Sequence, residues 1–298
     1  MSVRILSPAK INIGLQVYPK SGEYAGFHRI ESIFQTVELF DELFVEFSDD
    51  GMGRCVVSCD SMKLPAENTL TKTFDSFRKF ASVNDGRSVS VSIVKRIPSG
   101  GGLGGGSSNA AFFLKALSGM YGVPLTRELS FSVAGEVGSD VFFFLGLKDG
   151  TGAALVGGRG ERVSEIECRK LWFVLVFPDV FSSTKEAYSL LDRSYGILEE
   201  SGESAVSDFL PFGEFEGLYR KDVSLWGSGG LGFKNSFTSV MLEVHPKIKD
   251  AISDLREAGA AFSDMSGSGS TVFGVFGDVD SAKKAVAALG SKWKCVLA

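Results

Sequence analysis

Histidine is nearly missing. The 298-residue chain has only His28 and His245, which excludes a site built on three histidine ligands. Cysteine is scarce as well, limited to Cys55, Cys59, Cys168 and Cys295. Cys55 and Cys59 are spaced C-x3-C, but no second pair and no nearby histidine completes a zinc set. If they flank a strand they lie on one face and read as small, buried, apolar residues. So few cysteines in a long chain suit a reducing cytoplasm. Long apolar runs are missing too: stretches such as Leu171 to Phe177 reach about seven residues, where a spanning helix needs about 20. The opening MSVRILSPAKINIGLQV has neither the apolar centre of a secretory signal nor the Arg/Ser-rich character of a transit segment. There is no basic run or tail. Lys and Arg total 31 against 36 Asp and Glu, a net charge of −5, which argues against nucleic acid as a partner. Anionic small molecules stay compatible, because a local site can oppose the net charge.

What is abundant is glycine, 36 residues, or about 12% against roughly 7% in ordinary proteins. The rest of the composition, 44% hydrophobic and 22% charged, is that of a globular chain. At this length a single core stops growing, so two domains are expected. The buried-strand run at 171–177 looks like a fresh start and places a boundary near residue 168, giving domains 1–168 and 169–298.

Residues 10–17 alternate, with Ile11, Ile13, Leu15 and Val17 on one side and Lys10, Asn12, Gly14 and Gln16 on the other. Period two predicts a half-buried strand whose polar face carries Lys10 and Asn12. Strand-like runs follow at 33–38, 43–47 and 55–58. A helix is predicted over 68–82, with Leu70, Phe74, Phe77 and Phe80 at helical spacing, then a strand over 89–97 ended by Pro98. After the glycine run, Ser107 or Ser108 could cap a helix marked by Ala110, Leu114, Leu117 and Tyr121 and stopped by Gly122. Further helices are predicted at 126–137, 184–192, 236–258 (broken at Pro246) and 279–289, with a Gly-rich hairpin at 150–163 and a last strand at 293–297. The stretch 193–234 reads as an insertion or a mobile loop. The mixture is α+β, and the second half is ferredoxin-like.

Pro98 to Ala111, PSGGGLGGGSSNAA, stands between a strand and a helix. Glycines permit positive φ and close approach, so successive N–H groups can converge on an anion while the helix start adds partial positive charge. Di- and triphosphates are natural guests. Gly100, Gly102 and Gly105 match G-x-G-x-x-G, a weak signal without a clear βαβ unit. A Walker loop needs Lys where Ser107 stands, and no H-R-D or D-F-G motif follows for a protein kinase. Pro98-x-Gly-x-Gly-Leu-Gly-x-x-Ser-Ser instead resembles the phosphate-binding motif of the GHMP kinases. Pro8-Ala9-Lys10-Ile11-Asn12 resembles that family's first motif, and Met265-Ser266-Gly267-Ser268-Gly269-Ser270 its third, which backs the phosphate loop.

The resemblance implies a two-domain α+β fold, with an N-terminal ribosomal protein S5 domain 2-like domain and a C-terminal ferredoxin-like domain. It implies phosphorylation of a small-molecule alcohol with ATP and Mg2+, and, in the branch this chain is most similar to, a cytidyl diphosphate substrate. Asp140 would accept or orient the hydroxyl proton; read alone, it could equally be a helix N-cap. Lys10 would pair with Asp140 and contact the hydroxyl, keeping the carboxylate ionised. Pro98, Ser99, Gly100, Gly101, Gly102, Leu103, Gly104, Gly105, Gly106, Ser107 and Ser108 would surround the phosphates. Asn68, Thr69 and Lys95 fall where nucleoside contacts occur, though a helix cap and an exposed strand charge explain them too. His28 would read cytosine beside Phe27, where tyrosine is common in the family, with Tyr188 on the other side and Asn12 and Thr184 nearby. His245 reads as structural. The metal ligands stay undetermined. Phe142 in place of a usual proline, Asn235-Ser236-Phe237 in place of an Asn-Asp-Phe type, and the long 193–234 stretch depart from the family pattern. Another small-molecule kinase of the family, or a silent metabolite sensor on the same fold, stays open as an alternative.

Overall fold

The computed structural model describes residues 2–24, 26–48, 50–228 and 231–298. The chain forms two compact units interleaved in sequence. The first comprises Met1–Ala9, Leu39–Ser99 and Gly104–Thr151; the second comprises Lys10–Glu38, Gly100–Leu103 and Gly152–Ala298.

Strand β1 (Ser2–Val17) pairs with β2 (Ile30–Ser48), a single strand where two runs were expected. In the first unit, β3 (Cys55–Cys59) runs parallel to β4 (Ser88–Val94), and β4 runs antiparallel to residues 42–48 of β2. β4 ends at Val94, short of Pro98. Helix α1 (Thr69–Phe80) buries Leu70, Phe74 and Phe77 against α2 (Gly105–Tyr121), while Phe80 stays exposed. Its cap is Asn68, whose side chain accepts from the Leu70 and Thr71 N–H groups. α2 starts behind Gly104, which has φ +67°. Ser107 and Ser108 therefore do not cap it; they lie inside its first turn, because the glycine supplies the left-handed step that sets the helix direction. Helices α3 (Arg127–Val137) and α4 (Ser139–Gly146) complete this unit. Asp140 is the second residue of α4, not its N-cap, since Gly138 occupies that place. Cys55 and Cys59 share the core-facing side of β3 but are half-buried rather than buried, because β3 is an edge strand. Burial still pushes the Cys55 thiol up to about 12.

In the second unit, residues 30–35 of β2 pair with β5 (Ala153–Gly158), which forms the expected hairpin with β6 (Arg162–Ile166). β7 (Trp172–Phe177) precedes α5 (Thr184–Glu200), which runs beyond its expected end. The stretch 193–234 is not a mobile loop among its described residues. It finishes α5 and makes short turns that include α6 (Phe215–Tyr219), with Phe215, Tyr219, Trp226 and Phe233 buried and their rings in mutual contact. Its aromatics supply the apolar area that its serines and acids concealed in the sequence pattern. Gly229 and Gly230, in the Gly-rich run at 227–232, lie outside the described residues. Helices α7 (Ser236–Val244) and α8 (Pro246–Glu257) divide at Pro246, followed by β8 (Phe262–Met265), β9 (Val272–Phe276), α9 (Val279–Leu289) and β10 (Lys294–Leu297). The sheet order β10-β7-β9-β8 is antiparallel throughout.

One expectation about β1 is reversed. Its face carrying Lys10, Asn12 and Gln16 is buried, with 3%, 2% and 3% exposure. Polar partners in the second unit replace water on that face: the Asn12 amide donates to Ser32 Oγ, the Gln16 amide donates to the Leu210 carbonyl, and the Asn12 backbone N–H donates to Ser266 Oγ.

Candidate active site

Within the second unit, Gly100 and Gly102 have φ values of +70° and +74°. A Cβ on Gly102 would stand 2.0 Å from the Ser266 carbonyl oxygen, so no other residue fits there. The Ser266 hydroxyl donates to the Gly102 carbonyl at 3.0 Å, the Thr271 N–H to Gly101 at 3.3 Å, and the Lys10 N–H to Leu103 at 3.0 Å. These bonds engage carbonyls, so the loop is gripped by its acceptors while its N–H groups are not consumed in the gripping. That is the polarity an anion cradle requires. Leu103 is buried, Pro98 half-buried, and Ser99 exposed.

Within the first unit, Gly104, Gly105, Gly106 and Ser107 open α2 with the N–H groups of a helix start, and Ser108 follows with its N–H donated to the Gly104 carbonyl at 2.8 Å. Ser108 is fully buried and its Oγ has no hydrogen-bond partner among the described residues, so a buried hydroxyl is left for an oxygen ligand. The helix start is fixed from behind. Asp41, fully buried, accepts from Lys95 Nζ at 2.7 Å, from Asn109 Nδ2 at 3.0 Å, and from the Arg96 and Ile97 N–H groups at 2.8 Å each. Lys95 is thus a half-buried ion-pair partner, not an exposed strand charge, and it lies just past the end of β4. A Cβ on Gly105 would stand 3.2 Å from its Nζ. Asn68 spends its side chain on the α1 cap and on the Pro65 carbonyl, with Thr69 half-buried beside it. Asp140 sits half-exposed on α4.

Lys10 and Asn12 are brought together in the second unit: Lys10 Nζ donates to Asn12 Oδ1 at 2.7 Å and stands 4.7 Å from the Phe34 ring centre. His28 and Tyr188, distant in sequence, meet with ring centres 4.9 Å apart at 33°. His28 Nδ1 is 2.7 Å from the Tyr18 carbonyl, which makes Nδ1 the protonated nitrogen. Nε2 lies 3.1 Å from Asp192 Oδ1, within ion-pair reach but without hydrogen-bond geometry. Phe27 does not join that pair; it is 52% exposed under the Arg159 guanidinium, 3.9 Å from its ring centre. Thr184 opens α5 and its Oγ1 lies 3.1 Å from Ser268 Oγ of the third motif. His245 stands at the α7–α8 junction.

Three residues escaped sequence reasoning. Asp41 gave no local signal. Asn235 showed only as a motif departure, and Asp264, like Asp41, gave none. Asp264 is buried and accepts from Thr238 Oγ1 at 2.6 Å, the Met265 N–H at 2.7 Å and the Asn235 N–H at 3.0 Å. Burial pushes its carboxyl up to about 6, against the lowering effect of those donors and, last, of Arg256. Asn235 and Asp264 also line a cavity of about 750 Å³, together with Lys249, Arg256 and Phe262.

Comparison with known proteins gives a consistent result. Residues 68–146 match the family GHMP kinases N terminal domain, and residues 215–295 match GHMP kinases C terminal. The chain is similar to the 4-diphosphocytidyl-2-C-methyl-D-erythritol kinase of Treponema pallidum (strain Nichols), 36% identical over 98% of this chain and 96% of that one. It is 38% identical to the same-named enzyme of Thermotoga maritima, over 92% of each chain. A crystal structure of 4-(cytidine 5'-diphospho)-2C-methyl-D-erythritol kinase superimposes with a TM-score of 0.76 at 28% identity, over 99% of this chain and 98% of that one.

Proposed function

The chain belongs to the GHMP kinase family, and from that premise we propose that it phosphorylates the 2-hydroxyl of 4-diphosphocytidyl-2-C-methyl-D-erythritol with ATP, a step of the non-mevalonate route to isoprenoids. The observation that carries the substrate choice is the meeting of His28 with Tyr188. With Nδ1 donating to the Tyr18 carbonyl, Nε2, buried 3.1 Å from Asp192 Oδ1, is the ring nitrogen left for the polar edge of cytosine. Tyr188 offers a ring face for stacking, Phe27 an exposed second one, and Asn12 and Thr184 polar contacts along the substrate.

The hydroxyl oxygen attacks the γ-phosphorus, the bond to the β–γ bridging oxygen breaks, and ADP leaves. Asp140 takes or orients the hydroxyl proton, and Lys10 offsets the developing negative charge. Residues 98–108 receive the phosphates, and the nucleoside lies toward Asn68 and Lys95, whose side chains hold the α1 cap and Asp41. Mg2+, held by phosphate oxygens and the Ser108 hydroxyl, would neutralise phosphate charge. The orphan Ser108 Oγ fits that assignment. Domains 1–168 and 169–298, and a cytoplasmic site of action, complete the reading. A coupled ADP-release assay with a substrate panel tests it. Turnover is expected with the cytidyl substrate; turnover with homoserine, mevalonate or galactose in its place, or ligand binding without any turnover, overturns it.

A further inference from the structure

The third-motif loop touches the glycine loop through Ser266, and Ser266 is itself held from behind. Asn235, 4% exposed, donates its two side-chain hydrogens to two carbonyls, Met265 at 2.8 Å and Gly267 at 2.7 Å. Those carbonyls flank Ser266, so one amide group clamps the peptide units on both sides of it. The Asn235 Oδ1 accepts from the Phe237 N–H and caps α7. Its own N–H donates to Asp264, which also accepts from the Met265 N–H. On the other side of the loop, Ser266 Oγ donates to the Gly102 carbonyl and accepts from the Asn12 N–H at 3.3 Å. A Cβ on Gly267 would stand 3.2 Å from the Gly102 carbonyl. The route therefore runs by hydrogen bonds from Asp264 to Asn235 and on to the Met265 and Gly267 carbonyls, along the backbone they flank to Ser266, and by a hydrogen bond from Ser266 to Gly102, all inside one unit.

We infer that Asn235, oriented by Asp264, is a positioning residue for ATP: its amide fixes the Ser266 loop and through it the conformation of Gly100–Leu103. The inference rests on the reading of those glycines as the phosphate loop. The chemistry needs an asparagine. Serine or aspartate can cap a helix, but neither presents two side-chain hydrogens.

The test compares Asn235→Ser and Asn235→Asp, both of which keep a capping acceptor for α7 and lose the double donation. Each should raise the KM for ATP at least about tenfold, while kcat and the KM for the cytidyl substrate stay within about twofold. Ser266→Ala, which cuts the last link and leaves Asn235 in place, should shift the ATP KM in the same direction and serves if the Asn235 variants do not fold. Folded variants with ATP KM within twofold of wild type, or parallel losses in all three parameters, overturn the positioning role. Direct ATP binding to Gly102→Ala separates the two readings. If that variant binds ATP as wild type does, the phosphate-loop reading fails. If it binds weakly while the Asn235 and Ser266 variants bind normally, only the positioning role fails.

Discussion

Asp41 in the first unit and Asp264 in the second are both buried carboxylates behind a segment of the glycine loop, and they are satisfied differently. Asp41 meets a cation, Lys95, at 2.7 Å, plus three N–H donors. Among the described residues Asp264 has only neutral donors at hydrogen-bond distance, with Arg256 of α8 a weaker influence. A buried charge without an opposite charge keeps its desolvation cost, which is why burial raises the Asp264 carboxyl. The difference teaches where each segment can tolerate change. The start of α2 is pinned by a charge pair whose halves need each other. The Ser266 loop is pinned by neutral hydrogen bonds that one amide side chain distributes.

The largest expected effect tests that contrast directly. Asp41→Asn leaves the half-buried Lys95 without its counter-charge and takes one of the two oxygens that accept from three N–H donors, and should lower the unfolding free energy by about 3 kcal/mol in urea titration. Asp264→Asn loses the Asn235 N–H acceptor but also sheds an unpaired buried charge, so its cost should stay below about 2 kcal/mol. Equal losses in the two variants would break the comparison.

The second effect depends on pH. The Asp264 carboxyl moves from the ordinary 3.8 to about 6 on folding. Between those values the native state binds more protons than the unfolded chain, so this group's contribution to stability is lost as pH rises through about 6. Roughly two pKa units correspond to about 3 kcal/mol at most. The stability difference between wild type and Asp264→Asn, followed from pH 4 to pH 7, should therefore shift against wild type as pH rises. A flat difference would mean that Asp264 is not charged at a cost.

Much of this architecture was legible in the sequence, because it is written in local periodicity. α9 at 279–289, the α7–α8 break at Pro246 and the β5–β6 hairpin follow from spacing, proline and glycine. The three motifs were equally local, and the structure interlocks the glycine run with the Ser266 loop. What could not be read was burial imposed by distant partners. Lys10 and Asn12 look solvated from alternation alone, yet residues far along the chain cover them. Asp41 and Asp264 carry no pattern, since a buried acid depends on donors from other segments. The 193–234 stretch hid its role because its serines and acids dilute aromatics that pack only after the chain folds back.

A third effect sharpens the division of labour. Asp140→Asn keeps the shape of the side chain but removes the proposed proton acceptor, and should lower kcat at least about 10²-fold with ATP affinity retained. The mutation touches neither buried aspartate, so unfolding curves should overlay those of wild type. A near-normal rate would remove Asp140 from the chemistry, and a loss of ATP affinity would assign it to binding instead.

The smallest effect belongs to His28, and it asks whether neutral hydrogen bonding also governs substrate reading in the second unit. Nδ1 is committed to the Tyr18 carbonyl, Nε2 is buried against Asp192, and Tyr188 holds the ring from one side at 4.9 Å. His28→Ala removes one acceptor and one stacking neighbour, contacts worth about 1–1.5 kcal/mol in such a setting. The expected result is a KM for the cytidyl substrate raised about tenfold, with the ATP KM unchanged within twofold. Asp192, 3.1 Å from Nε2, supplies a control: Asp192→Asn removes the possibility of an ion pair while keeping a neighbour of the same size. If the cytidyl KM responds to His28→Ala but not to Asp192→Asn, the ring acts as a neutral reader of the base. If Asp192→Asn produces the same rise, the histidine works as a charged partner, and the second unit relies on charge as the first does.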